Sequence, residues 1–171
     1  MYITHYYPKN SPLFARITQC SEEERKRVAK QLSSMPGSAL NRFKNFEYYY
    51  QRRIQTEKWL YEASKAIHIT PNEKSPWYFV LGDNILMNKG FGSDARAFKI
   101  DLDLIETSDI SFTIGDSIAV YFSPQIEKVL YDKSTILNYY CNEHSTIKNV
   151  YKYLQPQHQY IEAQLWTDKY F

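Results

Sequence analysis

Between Asn41 and Ile67 one row of residues recurs at alternating steps of three and four: Phe43, Phe46, Tyr50, Arg53, Glu57, Leu60, Ser64 and Ile67. That spacing sets all of them on one stripe of a helix, and so long a stripe must lie against the protein body. Arg53 and Glu57 stand in its middle, one turn apart, where their neighbours would bury them. An ion pair at i, i+4 costs little at a surface and a great deal in a core unless its hydrogen bonds are satisfied. Two readings stay open: the helix turns the pair outward as a partly exposed tether, or the pair lines a polar cavity. Arg52 and Thr56 on the adjoining face are rival liners of such a cavity.

Around this helix the chain reads as one domain, residues 1–171. "MYITHYY" is a short strand that stops at Pro8. In "SEEERKRVAKQL", Ser21 with Glu24 forms a capping box and acids precede bases, which predicts a helix from about Ser21 to Leu32. The second half turns to β-formers: "WYFVL", "AFKIDLDLI", "ISFTI" and "SIAVYF", parted by "LGDN", "KGFGSD" and "IGDS". "SFTIGDSIAV" reads as a tight hairpin centred on Gly115 and Asp116. A helix is expected between Pro124 and Tyr153, with "PQIEKVLYDK" its better candidate, and "HQYIEAQLW" closes the chain as a strand. Helices first and strands later within one small domain predict an α+β fold with a largely antiparallel sheet.

Several chemistries lack their motifs. The net charge of +2 announces no polyanion partner, although a local basic patch can hide in it. His5, His68, His144 and His158 are scattered, no H-E-x-x-H occurs, and Cys20 and Cys141 lack the C-x-x-C spacing of a metal or redox site, so no metal is expected. Neither a phosphate-cradling Gly motif nor a G-x-S-x-G elbow is present. With no apolar leader and no spanning stretch, the expectation is a cytoplasmic protein without membrane attachment. The 16 tyrosines suit a half-wet cleft or an interface, since each offers a ring face and a hydroxyl, but they suit an ordinary core as well.

Three strand-like stretches carry chemically capable residues: His5 in "YITHYY", Tyr78 in "PWYFVLGDN" and Glu162 in "YIEAQLW". Taken singly they read as a satisfied structural histidine, a core tyrosine and the wet side of an edge strand. Strand alternation puts Tyr78 on one side and Trp77 with Phe79 on the other. With Tyr78 facing inward, "PWYFVLGDN" reads as the floor of a cleft and Gly82-Asp83 as a turn at its rim. In order and context the set resembles the NAD-dependent ADP-ribosyltransferase superfamily, in the branch with an early His, a middle Tyr and a late Glu that includes the DarT-type DNA ADP-ribosyltransferases. The likeness rests on "ITH" with its downstream loop, on "SPWYFVLGDNILM" and on "IEAQLW", and is spread thinly over most of the chain.

The resemblance implies a split sheet around a central cleft that takes NAD as substrate, without a metal. It makes His5 a partner for a ribose hydroxyl, Tyr78 a ring stacked on nicotinamide and Glu162 the catalytic carboxylate, with Arg53 or Arg52 holding pyrophosphate. The implied acceptor is a nucleic-acid base or a protein side chain, the implied setting a toxin or phage-defence factor with an inhibitor or antitoxin as partner. "NFEYYYQRR" places rings beside positive charge, which would suit a single-stranded nucleic acid; the alternative is that these tyrosines pack the helix and the arginines solvate its outer side. The sequence departs from the pattern in two places: "VLGDN" stands where a basic segment is expected, and "SFTIGDS" has no counterpart, leaving Ser111, Thr113 and Ser117 without a role. Two other readings compete. One is a non-catalytic interaction factor with an aromatic surface. The other is an enzyme acting on nucleotides or RNA ends in a cleft of the same kind.

Overall fold

The computed structural model describes residues 1–11 and 16–171. The loop after Pro8 that contributes to the resemblance lies partly outside those residues. Five strands, β1 (Tyr2–Tyr7), β2 (Trp77–Leu81), β3 (Arg96–Asp101), β4 (Ile110–Ile114) and β5 (Ile161–Leu165), form a sheet in the order β3-β1-β2-β5-β4, with every neighbouring pair antiparallel. The largely antiparallel sheet expected is present, and where the resemblance implies a split sheet the strands form one continuous set of five. Its weak seam is β1 against β2, where the register holds only Ile3 opposite Leu81 and Thr4 opposite Val80. Beyond Thr4 the ladder gives out, and the His5 Nδ1 meets the Tyr78 carbonyl at 2.8 Å instead.

Register sorts the side chains into two unlike faces, because directly paired residues share a side. On one side Ile3, Trp77, Phe79, Ile100, Ile110, Phe112, Ala163 and Leu165 make the main apolar core. The helices α5 (Lys133–Cys141) and α6 (Ser145–Tyr151) cover it through Ile136, Leu137, Ile147 and Val150. The opposite side carries Tyr78, Ser111, Thr113, Glu162 and Gln164, paired Tyr78 with Gln164, Ser111 with Gln164 and Thr113 with Glu162. Over it lies α2 (Phe46–Ala66), preceded by a 3-10 segment at Ser38–Asn45. The stripe read from the sequence is the buried one, with Tyr50, Arg53, Glu57, Leu60 and Ser64 all inside. Leu60 packs with Trp166, Ile69 and Leu130, and each large apolar side chain buried in this way is worth about 1.5–3 kcal/mol.

The first helix, α1 (Glu22–Ser33), starts where the capping box put it, the Ser21 hydroxyl accepting from the Glu24 N–H. Other local expectations are corrected. Helices are not confined to the first half, since α3 (Ile85–Gly90), α4 (Ser117–Phe122), α5 and α6 follow. "SIAVYF" is α4, not a strand, and no hairpin forms at Gly115 and Asp116. The Asp116 carboxylate accepts from the Ala119 N–H at 3.0 Å and so starts a helix directly after β4. "PQIEKVLYDK" does not form a helix: Pro124, Gln125 and Ile126 turn the chain, Tyr131 pairs with Phe112 across the outer edge of β4, and Asp132 caps α5 only after it. Gly82-Asp83 is not a cavity rim: Tyr2, Tyr6 and Lys99 bind the Asp83 carboxylate at the β1 and β3 end of the sheet.

Gly115 makes the strand-to-helix turn with φ of 108°. A Cβ there would collide with the Leu154 side chain and crowd the His158 carbonyl at 3.3 Å. Gly115→Ala is expected to lower stability by about 1–3 kcal/mol, read as a lower urea midpoint at unchanged slope. Wild-type stability in that variant would show that the turn is not held as described.

Candidate functional site

Opposite-sign groups gather where the β1–β2 seam opens under α2. A hollow of about 180 Å³ is lined by Tyr78 of β2, Glu162 of β5, Arg53 of α2 and His5 of β1, among others. Four of the five residues singled out from the sequence thus border one space. Arg52 does not. It lines a larger adjoining cavity of about 580 Å³, together with Arg42, Tyr48, Tyr49, Asp116 and His158. Arg42, Tyr49, Met87 and Tyr160 line both spaces and form the wall between them.

Arg53 and Glu57 are 4% and 6% exposed, which selects the polar-cavity reading over the exposed tether. They do not pair with one another. Instead they bracket Tyr78: the Arg53 guanidinium lies over its ring at 4.1 Å, and Glu57 Oε1 accepts its hydroxyl at 3.2 Å. The other oxygen of Glu57 accepts from Ser75 Oγ at 2.8 Å. Burial pushes the Glu57 carboxyl up, and burial with the Glu57 charge pushes the Tyr78 phenol well above its usual range. Tyr78 is therefore a fixed donor with one ring face covered by a cation. Arg53 itself makes a single long bond, 3.4 Å to Ser117 Oγ, and no carboxylate of the described residues lies within ion-pair distance of it. Its charge is met at longer range: although burial opposes it, Tyr49, Tyr78, Glu162 and Asp116 together push the guanidinium pKa well above its usual value.

Glu162 is 4% exposed on the central strand pair. Its Oε1 accepts from the Ser117 backbone N–H and from Gln164 Nε2, both at 3.2 Å. Oε2 has no hydrogen bond from any described residue. Burial first, and the nearby Asp116 charge second, push this carboxyl up to about 7, against the pull of Arg53 and the two donors. Asp116 goes the other way. Burial opposes its ionisation, but the His158 ring 3.7 Å away and the charges of Arg53 and Arg42 outweigh that and hold it well below the usual carboxylate range. Two carboxylates in one network are thus driven apart, one ionised and one poised between its states.

His5 is the member that register sets apart. Paired with Phe98 and adjacent to Phe79, its ring faces the apolar side, 5.5 Å from the Phe79 ring and 6.5 Å from Trp77. Burial pulls its pKa down, so it sits there neutral. Ser111, Thr113 and Ser117, which had no role in the sequence, prove to surround Glu162 through Gln164 and the α4 turn. The signal that could have found Gln164 is its place two residues after Glu162, which puts both on one face. Among the described residues no three His, Cys, Asp or Glu cluster as metal ligands would, and no helix is long and apolar enough to cross a membrane. No protein-family model, no curated protein and no solved structure matches the chain.

The sign of the stability change with pH follows from these shifts. For Glu162 the folded value lies above the unfolded 4.5, so its contribution is full below 4.5 and is lost as pH rises through about 7. Asp116 contributes above its unfolded 3.8 and loses that contribution as pH falls below it. Glu162→Gln is expected to remove the decline on the alkaline side, leaving the variant more stable than the wild type at pH 8 by up to a few kcal/mol and similar near pH 4.5. Parallel stability curves from urea melts across that range would contradict a buried, poised carboxyl.

Proposed function

We propose that the protein transfers ADP-ribose from NAD to an acceptor. The observation that carries this reading is the convergence of Tyr78, Arg53 and Glu162 on one hollow, with one carboxylate oxygen of Glu162 without a donor among the described residues and Arg53 without a carboxylate within ion-pair distance. The family resemblance supports the same assignment. Breaking the bond between ribose and nicotinamide leaves positive charge on the sugar carbon. A fixed carboxylate beside that carbon stabilises charge that develops only in the transition state. Glu162 Oε2 supplies it. Arg53, whose planar fork suits phosphate oxygens, takes the pyrophosphate. The Tyr78 ring, which lines the hollow with its hydroxyl held by Glu57, seats nicotinamide.

His5 is not needed in contact with the sugar on this reading. It seats β1 on β2 and so shapes the mouth of the hollow. The smaller hollow is too tight for the whole dinucleotide, so the adenosine end extends past Tyr160 into the larger cavity, where Arg52 adds a second guanidinium. The acceptor is a nucleic-acid base or a protein side chain, and a partner that blocks the cavity would act as an inhibitor.

NAD at a hundred times its dissociation constant is expected to add about 2.7 kcal/mol of stability, a rise of roughly 5–10 °C in melting temperature for a chain of this size. Glu162→Gln is expected to keep that shift while nicotinamide release falls about a hundredfold or more. An unchanged melting temperature at millimolar NAD would defeat the transferase reading and leave an aromatic interaction surface as the better account.

A further inference from the structure

A chain of fully buried polar side chains runs through the sheet and ends on Glu162, and both of its far ends have fixed polarity. At one end the Trp166 indole, which can only donate, gives its N–H to Ser111 Oγ at 2.9 Å. Ser111 then turns its own proton to Gln164 Oε1 at 3.1 Å. At the other end the Gly115 carbonyl, which can only accept, takes the Thr113 hydroxyl proton at 2.9 Å. Thr113 Oγ1 is left as an acceptor and receives Gln164 Nε2 at 3.1 Å. The Thr113 lock forces the amide orientation, with the NH2 toward Thr113 and Glu162 and the oxygen toward Ser111. The Ser111 end agrees with it: the indole occupies only a lone pair of Oγ, and the hydroxyl proton is left to meet Gln164 Oε1. Ser111, Thr113, Gln164 and Trp166 are all 0% exposed, so water cannot relax the pattern.

From this geometry we infer that Gln164 is a positioning residue that reserves Oε1 of Glu162 as a permanent acceptor, so that Oε2 is the oxygen that carries the proton or the free charge into the hollow. The inference deepens the proposed transfer reaction and rests on it for its catalytic meaning, though not for its geometry. A carboxyl whose two oxygens were equivalent would present its proton to the hollow half the time. One locked by the Gln164 amide and the Ser117 N–H always presents the same atom, in the same direction. The other groups facing this carboxyl are Arg53 of α2, Tyr78 of β2, Tyr160 before β5 and Asp116 at the α4 turn, and none of them donates to Oε1.

The test is a carbon-13 carboxyl titration of the ligand-free full chain, followed by the pH profile of nicotinamide release from NAD. Gln164→Leu removes a donor to the charged form and is expected to raise the Glu162 midpoint by about one pH unit, with the rising limb of the profile moving by the same amount. A double variant, Ser111→Ala with Thr113→Val, touches neither carboxylate oxygen yet releases both locks. It is expected to move the midpoint the same way by less, and it decides the matter if Gln164→Leu lacks a cooperative melt. A folded variant whose Glu162 titrates as in the wild type overturns the inference. Shifted titration in a protein that never cleaves NAD leaves the positioning role standing and removes the transferase reading. Cleavage by the wild type with unshifted titration does the reverse.

Discussion

A carboxylate in the middle of a sheet is the constraint around which the rest of this fold is arranged. Glu162 lies on β5, between β2 and β4, and its desolvation in such a place would ordinarily drive it to the surface or to permanent protonation. Three elements oppose this from different directions. The α4 turn delivers a backbone N–H, β5 itself delivers the Gln164 amide, and α2 delivers the Arg53 charge. Each delivery dictates sequence elsewhere: Gly115 for the turn, Ser111 and Thr113 for the amide, and a break in the apolar stripe of α2 for the guanidinium. The polar side of the sheet is thus one connected network, and the apolar side, where α5 and α6 pack, supplies the burial that holds it in place.

The long helix was legible because its stripe has a single period and because tertiary packing uses that stripe rather than overriding it. Strands β1, β2 and β4 were legible for a similar reason, being short β-branched and aromatic runs, and β3 and β5 from the alternation of apolar and polar residues in "AFKIDLDLI" and "HQYIEAQLW". "SIAVYF" was not. Its composition serves a strand and a short buried helix equally well, and what decides is the Asp116 cap, which competes with the Gly-Asp turn signal on the same residues. The region after Pro124 was misread for a non-local reason. Ile126 and Leu130 are spaced as on a helix and are both buried, but the Tyr131 pairing with Phe112 takes precedence. No local pattern announces a bridge to a strand that lies far back in the chain.

At the site, Arg53, Tyr78 and Glu162 could be picked out because each is a chemically capable residue in an apolar context. What could not be seen was how they avoid their obvious partners. Arg53 and Glu57 look like an i, i+4 pair, yet Tyr78 stands between them and takes the carboxylate on its hydroxyl and the cation on its ring. His5 could be seen as special but not as turned to the other face, because a period of two fixes alternation and not which side is which. Its imidazole answers a different need, a carbonyl on β2 left behind where the β1 ladder ends.

The opening of that seam also explains why two cavities lie side by side instead of one. Had β1 and β2 stayed paired to their ends, the sheet would be continuous beneath α2 and the hollow beside Tyr78 would be filled. Because the ladder stops after Thr4, the space has a floor of strand residues, a roof of α2, and a wall that is itself half polar. Tyr160 shows what that wall does. Its hydroxyl donates to Asp116 Oδ2 at 3.0 Å, and its ring packs with Tyr6 and Val80. One residue therefore joins the carboxylate kept ionised in the larger cavity to the apolar seam beside the carboxylate poised in the smaller one. A ligand long enough to pass this wall would meet Arg53 and Glu162 on one side, and Arg42, Arg52 and Asp116 on the other. A short, single-headed ligand could engage only one of these sets.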